Sequence, residues 1–180
     1  MIIKDLGLED VKLIEGKKFI DSRGYFSVSF NKELSAALGQ KDICQVNNCY
    51  SKHEGTIRGI HYQLNPNAQG KLVRVVRSAV FDVAVDLRKN SPTFGMWVGE
   101  ILTAKNQRQL WVPRGFGHAF CTLTHASLLT YSVDNDYSQD SDRSILWSDP
   151  AVGISWPVSS PILSEKDASA SFLKMADVYE

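Results

Sequence analysis

The sequence predicts an all-β domain, a sandwich or barrel with a few short helices, and three observations carry that reading. Apolar and polar residues alternate over short stretches, which is the period of a strand and not of a helix. Those stretches are rich in β-branched, aromatic and aliphatic residues and are cut at short intervals by turn-forming residues. Finally, 180 residues of which 43% are hydrophobic suffice for one ample core, and no long linker, low-complexity tract or internal repeat divides them. Residues 1–180 therefore read as a single domain.

Each element follows from its own residues. Asn31 is placed to cap a short helix with apolar positions Leu34, Ala37 and Leu38, and Gly39 ends it. Lys71–Arg77 is a strand by composition. Val80–Leu87 puts Phe81, Val83, Val85 and Leu87 on one face and Asp82 and Asp86 on the other, the pattern of a half-buried strand. Thr93–Leu102, His118–Leu123 and Ser127–Val133 continue the series. Turn signals separate them: Asn65-Pro66, Gln69-Gly70, Asn90-Ser-Pro92, Lys105-Asn106 and Pro113-Arg-Gly115. A second helix is predicted over Ser169–Val178. Many short strands with such breaks are the mark of a sandwich or barrel.

Charge and cysteine content narrow the function. Twenty basic residues balance twenty acidic ones, so no global field draws the chain to nucleic acid or to an anionic membrane. Any anion it binds must be held locally. Cys44, Cys49 and Cys121 are odd in number and lack metal-type spacing, so reduced thiols and a cytoplasmic location are expected. Met1-Ile-Ile-Lys-Asp5 has no apolar run of signal-peptide length, and no stretch elsewhere approaches a membrane span.

Two segments stand out, Gly55-Thr-Ile-Arg58-Gly-Ile-His61-Tyr-Gln63 and Val112-Pro-Arg114-Gly-Phe-Gly-His118-Ala-Phe120. Each sets a histidine, which exchanges protons near neutral pH, close to an arginine, a fixed cation suited to phosphate. Core-facing histidines with solvated arginines are the alternative reading of either segment alone. On an ideal strand Arg58 and His61 face opposite ways, so both can line one cavity only if Gly59 marks a bulge or the strand runs along the mouth. A metal is the rival use of such histidines. Here His61-Tyr-Gln63 replaces one nitrogen ligand by an amide, no acidic residue follows His61 before Asp82, and His61 with His118 is short of the usual ligand number.

Taken with Asp21-Ser-Arg23-Gly-Tyr-Phe26, Gln45-Val-Asn47, Gly70-Lys71 and Ile162-Leu-Ser-Glu-Lys166-Asp167, these segments resemble, in order from residue 21 to 167, the dTDP-4-dehydrorhamnose 3,5-epimerases. The resemblance implies a cupin-type jelly roll, a homodimer, a nucleotide-linked 4-keto-6-deoxy sugar as substrate, and no metal or organic cofactor. It implies His61 as the base that removes a proton next to the C4 ketone, with Asp167 fixing its tautomer. It implies Tyr131 as proton donor on the other face of the sugar and Lys71 as the cation beside the C4 oxygen.

Arg23 and Arg58 resemble the diphosphate contacts, and Gln45 and Asn47 the amides near the nucleotide. His118 and Lys166 match sugar or phosphate contacts, Asp142 stands where the family usually has Glu, and Tyr137 offers an aromatic face. Val28 is a departure: many members have there a Glu that faces the nucleotide base. The same residues considered singly leave plainer roles open, with Tyr131 a core aromatic, Lys71 a solvated turn residue and Asp167 part of a helix cap. Three alternatives to the 3,5-epimerase also stand: an epimerase of one carbon on another nucleotide sugar, a metal-dependent cupin, and a module that only binds. The presence of three proton-handling positions argues against the last.

Overall fold

The computed structural model describes residues 1–8, 10–39 and 43–180. In chain order the strands are β1 (Ile2–Asp5), β2 (Lys12–Glu15), β3 (Lys18–Asp21) and β4 (Gly24–Ser27), followed by helix α1 (Lys32–Ala37). Next come β5 (Gln45–Ser51), β6 (Ile57–Gln63), β7 (Lys71–Arg77), β8 (Ala79–Asp86) and β9 (Trp97–Thr103). The remainder are β10 (Arg108–Val112), β11 (Phe116–Thr122), β12 (Ser127–Val133), β13 (Asp142–Ser144) and helix α2 (Glu165–Ala168). The all-β expectation holds.

Two antiparallel sheets make the jelly roll, one ordered β1-β2-β10-β7-β12-β5 and the other β13-β6-β11-β8-β9, with β3-β4 a separate hairpin. The core lies between them. Leu13, Val73, Val75, Leu110 and Leu129 from the first sheet pack with Val80, Ala84, Leu102, Phe116 and Phe120 from the second. The outer face of the first sheet is closed by α1, whose Leu34 joins Ile14, Leu72 and Trp111. Asn31 caps that helix as predicted, its Oδ1 accepting from the Leu34 N–H at 2.9 Å.

The outer face of the second sheet is also covered, and this corrects the reading of β8. Val83, Val85 and Leu87 pack under Ile145, Val152, Leu173 and Tyr179 of the C-terminal segment. The opposite face of β8 points into the space between the sheets, so Asp82 and Asp86 are 0% exposed and not solvated. Asp86 is held by Arg88, Ser91 and Thr93, an assembly that turns the chain between β8 and β9. For that reason the predicted strand from Thr93 starts only at Trp97.

The predicted helix over Ser169–Val178 is absent. That segment runs across the sheet with one 3₁₀ turn at Leu173–Met175, burying Leu173 and Tyr179 while Met175 stays exposed. Its apolar spacing reflects contact with a flat sheet and not a helical face.

Candidate active site

The predicted residues converge at one end of the space between the two sheets. β6 and β11 bring His61 and His118 opposite each other in register. Further along the same pairing, Phe120 faces Arg58, so Gly59 and Ile60 of β6 oppose the single Ala119 of β11 and the register shifts. This is the bulge that sequence reasoning required, and it turns Arg58 toward the side of the sheet that carries His61. Gly59 sits inside it at φ +120°, where a Cβ would lie 2.5 Å from the Ala119 Cβ and 2.6 Å from the His118 carbonyl oxygen. Gly59→Ala is therefore expected to destabilise the protein by about 3 kcal/mol or more, from left-handed strain and backbone overlap together. A denaturant midpoint within error of wild type would contradict this.

His61 is held from behind. Its Nε2 lies 2.5 Å from Asp167 Oδ1, which leaves Nδ1 to take a proton. Asp167 is the third residue of α2, and its other oxygen, Oδ2, accepts from the Ser164 hydroxyl at 2.8 Å while Ser164 Oγ accepts from the Asp167 N–H. The helix-cap contact and the contact to His61 are thus both made, one oxygen each. Burial raises the Asp167 pKa, but the hydrogen bond and charge of His61, the Ser164 hydroxyl and the Gly59 backbone N–H outweigh it, and the group lies below the ordinary carboxylate value. It stays ionised behind the imidazole.

The opposite sheet supplies Lys71 and Tyr131. Lys71 is 9% exposed, with Nζ donating to the His61 carbonyl at 3.3 Å, so it is no solvated turn residue. Burial pulls its pKa down to about 8, against the pull of Asp142 and Asp82. Tyr131 is half-buried against the core, beside His118. Burial pushes its phenol up, assisted by Cys49 and Asp142 and opposed by Arg58, so it remains protonated at neutral pH.

Around these, Lys166 Nζ donates to Asp142 Oδ2 at 2.5 Å and the Tyr137 hydroxyl donates to the same oxygen at 3.2 Å. Gln63 is committed to the loop carrying Tyr137, its amide bonding Asn67 and Asp136 carbonyls and the Ser138 N–H. Arg58 is steadied by Ser51 Oγ and the Tyr50 carbonyl, and Gln45 donates to Asn47 on β5.

Two arginines stand apart from this cluster. Arg23 sits on the β3-β4 hairpin with its side chain 88% exposed and paired to Asp21. Arg114, the cation of the second His–Arg segment, binds Asp134 at 2.9 Å, so its proximity to His118 in sequence is not a site pairing. Sequence reasoning missed Asp82, which accepts from His118 at 2.9 Å, and Ser164. A buried carboxylate on an alternating strand looks the same in sequence as a solvated one. Among the described residues, no three His, Cys, Asp or Glu side chains cluster as a metal site requires.

Comparison with known proteins gives this arrangement its context. The family model described as dTDP-4-dehydrorhamnose 3,5-epimerase matches residues 5–175. An enzyme of that description from Shigella flexneri is 49% identical over 173 residues, 96% of each chain. A crystal structure of the Bacillus anthracis str. Ames enzyme of the same description, with TDP and PPi bound, superposes with a TM-score of 0.90 at 48% identity, covering 95% of this chain and 99% of that one. A dTDP-6-deoxy-D-glucose-3,5-epimerase from Legionella pneumophila Philadelphia 1, in complex with dTDP-4-keto-L-rhamnose, gives a TM-score of 0.92 at 41% identity, covering 98% and 94%.

Proposed function

This chain belongs to the dTDP-4-dehydrorhamnose 3,5-epimerase family, and on that premise we propose that it inverts carbons 3 and 5 of dTDP-4-dehydro-6-deoxyglucose to give dTDP-4-dehydrorhamnose. The observation that carries this reading is a carboxylate-backed imidazole on one sheet facing a protonated phenol and a buried ammonium on the other. Carbons 3 and 5 flank the C4 ketone, so either can lose its proton as an enolate forms. His61 Nδ1 takes that proton, and Asp167 stabilises the imidazolium. Lys71 carries the negative charge developing on the C4 oxygen. Tyr131 then protonates the carbon from the opposite face, and the centre is inverted. No step needs a redox or organic cofactor. Incubation with the 4-keto sugar nucleotide in deuterated water, with label located by NMR, tests the reading: deuterium at neither carbon would end it.

Tyr131→Phe is expected to exchange the C3 or C5 proton with solvent at a rate set by His61 while yielding inverted product at least about 100-fold more slowly. Absence of label in that variant's substrate would remove the donor role.

Arg58, Lys166, His118 and Tyr137 are proposed to hold the diphosphate and sugar, with Asp142 orienting Lys166 and Tyr137. Gln45 and Asn47 are proposed at the nucleotide. Arg23 requires a second copy or a moving hairpin to reach a diphosphate. The hairpin exposes Phe19, Ile20, Tyr25 and Phe26, a surface that supports the proposed homodimer in a cytoplasmic setting. No helix among the described residues is long and apolar enough to cross a membrane.

Val28 lines a small depression with Arg74, Gln107 and Gln109, without a carboxylate among the described lining residues. A thymine N3–H has no charged acceptor from it, and one such hydrogen bond is worth roughly 1.5–3 kcal/mol. Competition by dTDP and UDP is expected to differ by less than about a hundredfold; a larger preference for dTDP would mean that the base is read elsewhere.

A further inference from the structure

Inverting two carbons in one visit demands two donated protons, and Tyr131 holds one. After the first inversion His61 is an imidazolium and Tyr131 a phenolate. His61, with 32% of its side chain exposed, can release its proton at the mouth. Tyr131 is half-buried, and a bound nucleotide sugar would shut solvent away from it.

The structure places a second imidazole–carboxylate pair beside Tyr131. His118 is 6% exposed, and its ring centroid lies 6.4 Å from that of Tyr131, the two rings tilted at 56° to one another. Its Nε2 is fixed by Asp82 Oδ1 at 2.9 Å, leaving Nδ1 for the cavity. Asp82 is fully buried, and its second oxygen is the only buried side-chain polar atom without a hydrogen-bond partner among the described residues. A carboxylate in that state is costly to keep unless a nearby cation uses its charge, and a neutral amide would hold a neutral histidine at lower cost. The cations it can serve are Lys71 and a protonated His118.

We infer that the His118–Asp82 pair returns a proton to Tyr131 between the two inversions, so that both carbons are inverted before the sugar leaves. The Nδ1–H bond of the His118 imidazolium breaks and the Tyr131 O–H bond re-forms, directly or through one water. His118 is left neutral with Nε2–H still on Asp82, and it recovers its proton from solvent once product departs. Asp82 is a positioning residue in this scheme, acting through the imidazole. The inference rests on the proposed epimerase reading and assigns His118 a task beyond contact with the sugar.

Asp82→Asn keeps the shape and removes the charge. In single turnovers followed by NMR, its first inversion is expected within about 5-fold of wild type, while mono-inverted sugar accumulates about 10-fold or more above the wild-type level. His118→Gln, read by the same ratio of singly to doubly inverted product, covers the case in which Asp82→Asn fails to fold. In a Tyr131→Phe background, Asp82→Asn should leave deuterium wash-in unchanged, because nothing remains to reload. A wild-type product ratio in both variants overturns the relay, and so does a parallel fall of wash-in in the double variant, which would mark a structural role. A wild type that inverts only one carbon also overturns it. Absence of any inversion by wild type would instead sink the epimerase reading itself.

Discussion

His61→Ala should lower kcat by about 10²- to 10⁴-fold while leaving the affinity for dTDP within a few-fold, because it deletes the proposed base and not the proposed nucleotide contacts. The geometry makes the separation clean. The imidazole is anchored by Asp167 at 2.5 Å from behind, whereas the candidate phosphate cations Arg58 and Lys166 are held by Ser51 and Asp142. Asp167→Asn should approach the same loss with the ring still present, since an amide cannot stabilise the imidazolium. Steady-state kinetics with dTDP titration by calorimetry would check both. Near-normal turnover in His61→Ala would remove the base assignment, and lost dTDP binding would show that the ring chiefly holds the ligand.

Lys71→Met should cost about 10²- to 10³-fold in kcat, the usual loss when a donor to a developing oxyanion is removed. Its pKa adds a second readout. Burial draws the ammonium down to about 8, so wild-type activity should fall as pH rises through about 8, where the charge is lost. Tyr131 is shifted upward and cannot account for that limb. Stability moves the opposite way. The folded pKa lies below the ordinary lysine value of 10.5, so between about 8 and 10.5 the unfolded chain binds more protons and folding gains as pH rises. The cost of burying the charge is fully present below about pH 8. Denaturant unfolding of wild type against Lys71→Met should therefore shift toward wild type across that window. A flat activity profile between pH 7 and 9 would contradict the ammonium role.

The site was legible in sequence where local pattern and chemistry coincide. His61, Lys71, Tyr131 and Asp167 do meet, and the sequence stated the condition for adding Arg58, a bulge at Gly59, which the register bears out. What failed was information about the far side of an element. The alternation of β8 is the same whether Asp82 faces water or a cavity, and only the second sheet decides. The segment after Ser169 is spaced like a helix because Leu173, Ala176, Val178 and Tyr179 touch a sheet, which periodicity cannot tell from an amphipathic face. Arg114 is near His118 in the chain, yet Asp134, twenty residues on, claims it.

The bulge in β6 has a consequence for how such a site can be gained or lost. Because one extra residue between Arg58 and His61 sets both on one face, no replacement of side chains can substitute for it. Straightening that strand without changing its length, as a residue with a Cβ at Gly59 would favour, restores regular alternation and sends either the guanidinium or the imidazole to the outside. The evolutionary boundary between this catalyst and an inert barrel of like sequence is thus a matter of backbone shape at one position. Searches for related catalysts, and libraries built on this scaffold, should read the residue at that glycine before comparing the side chains around it.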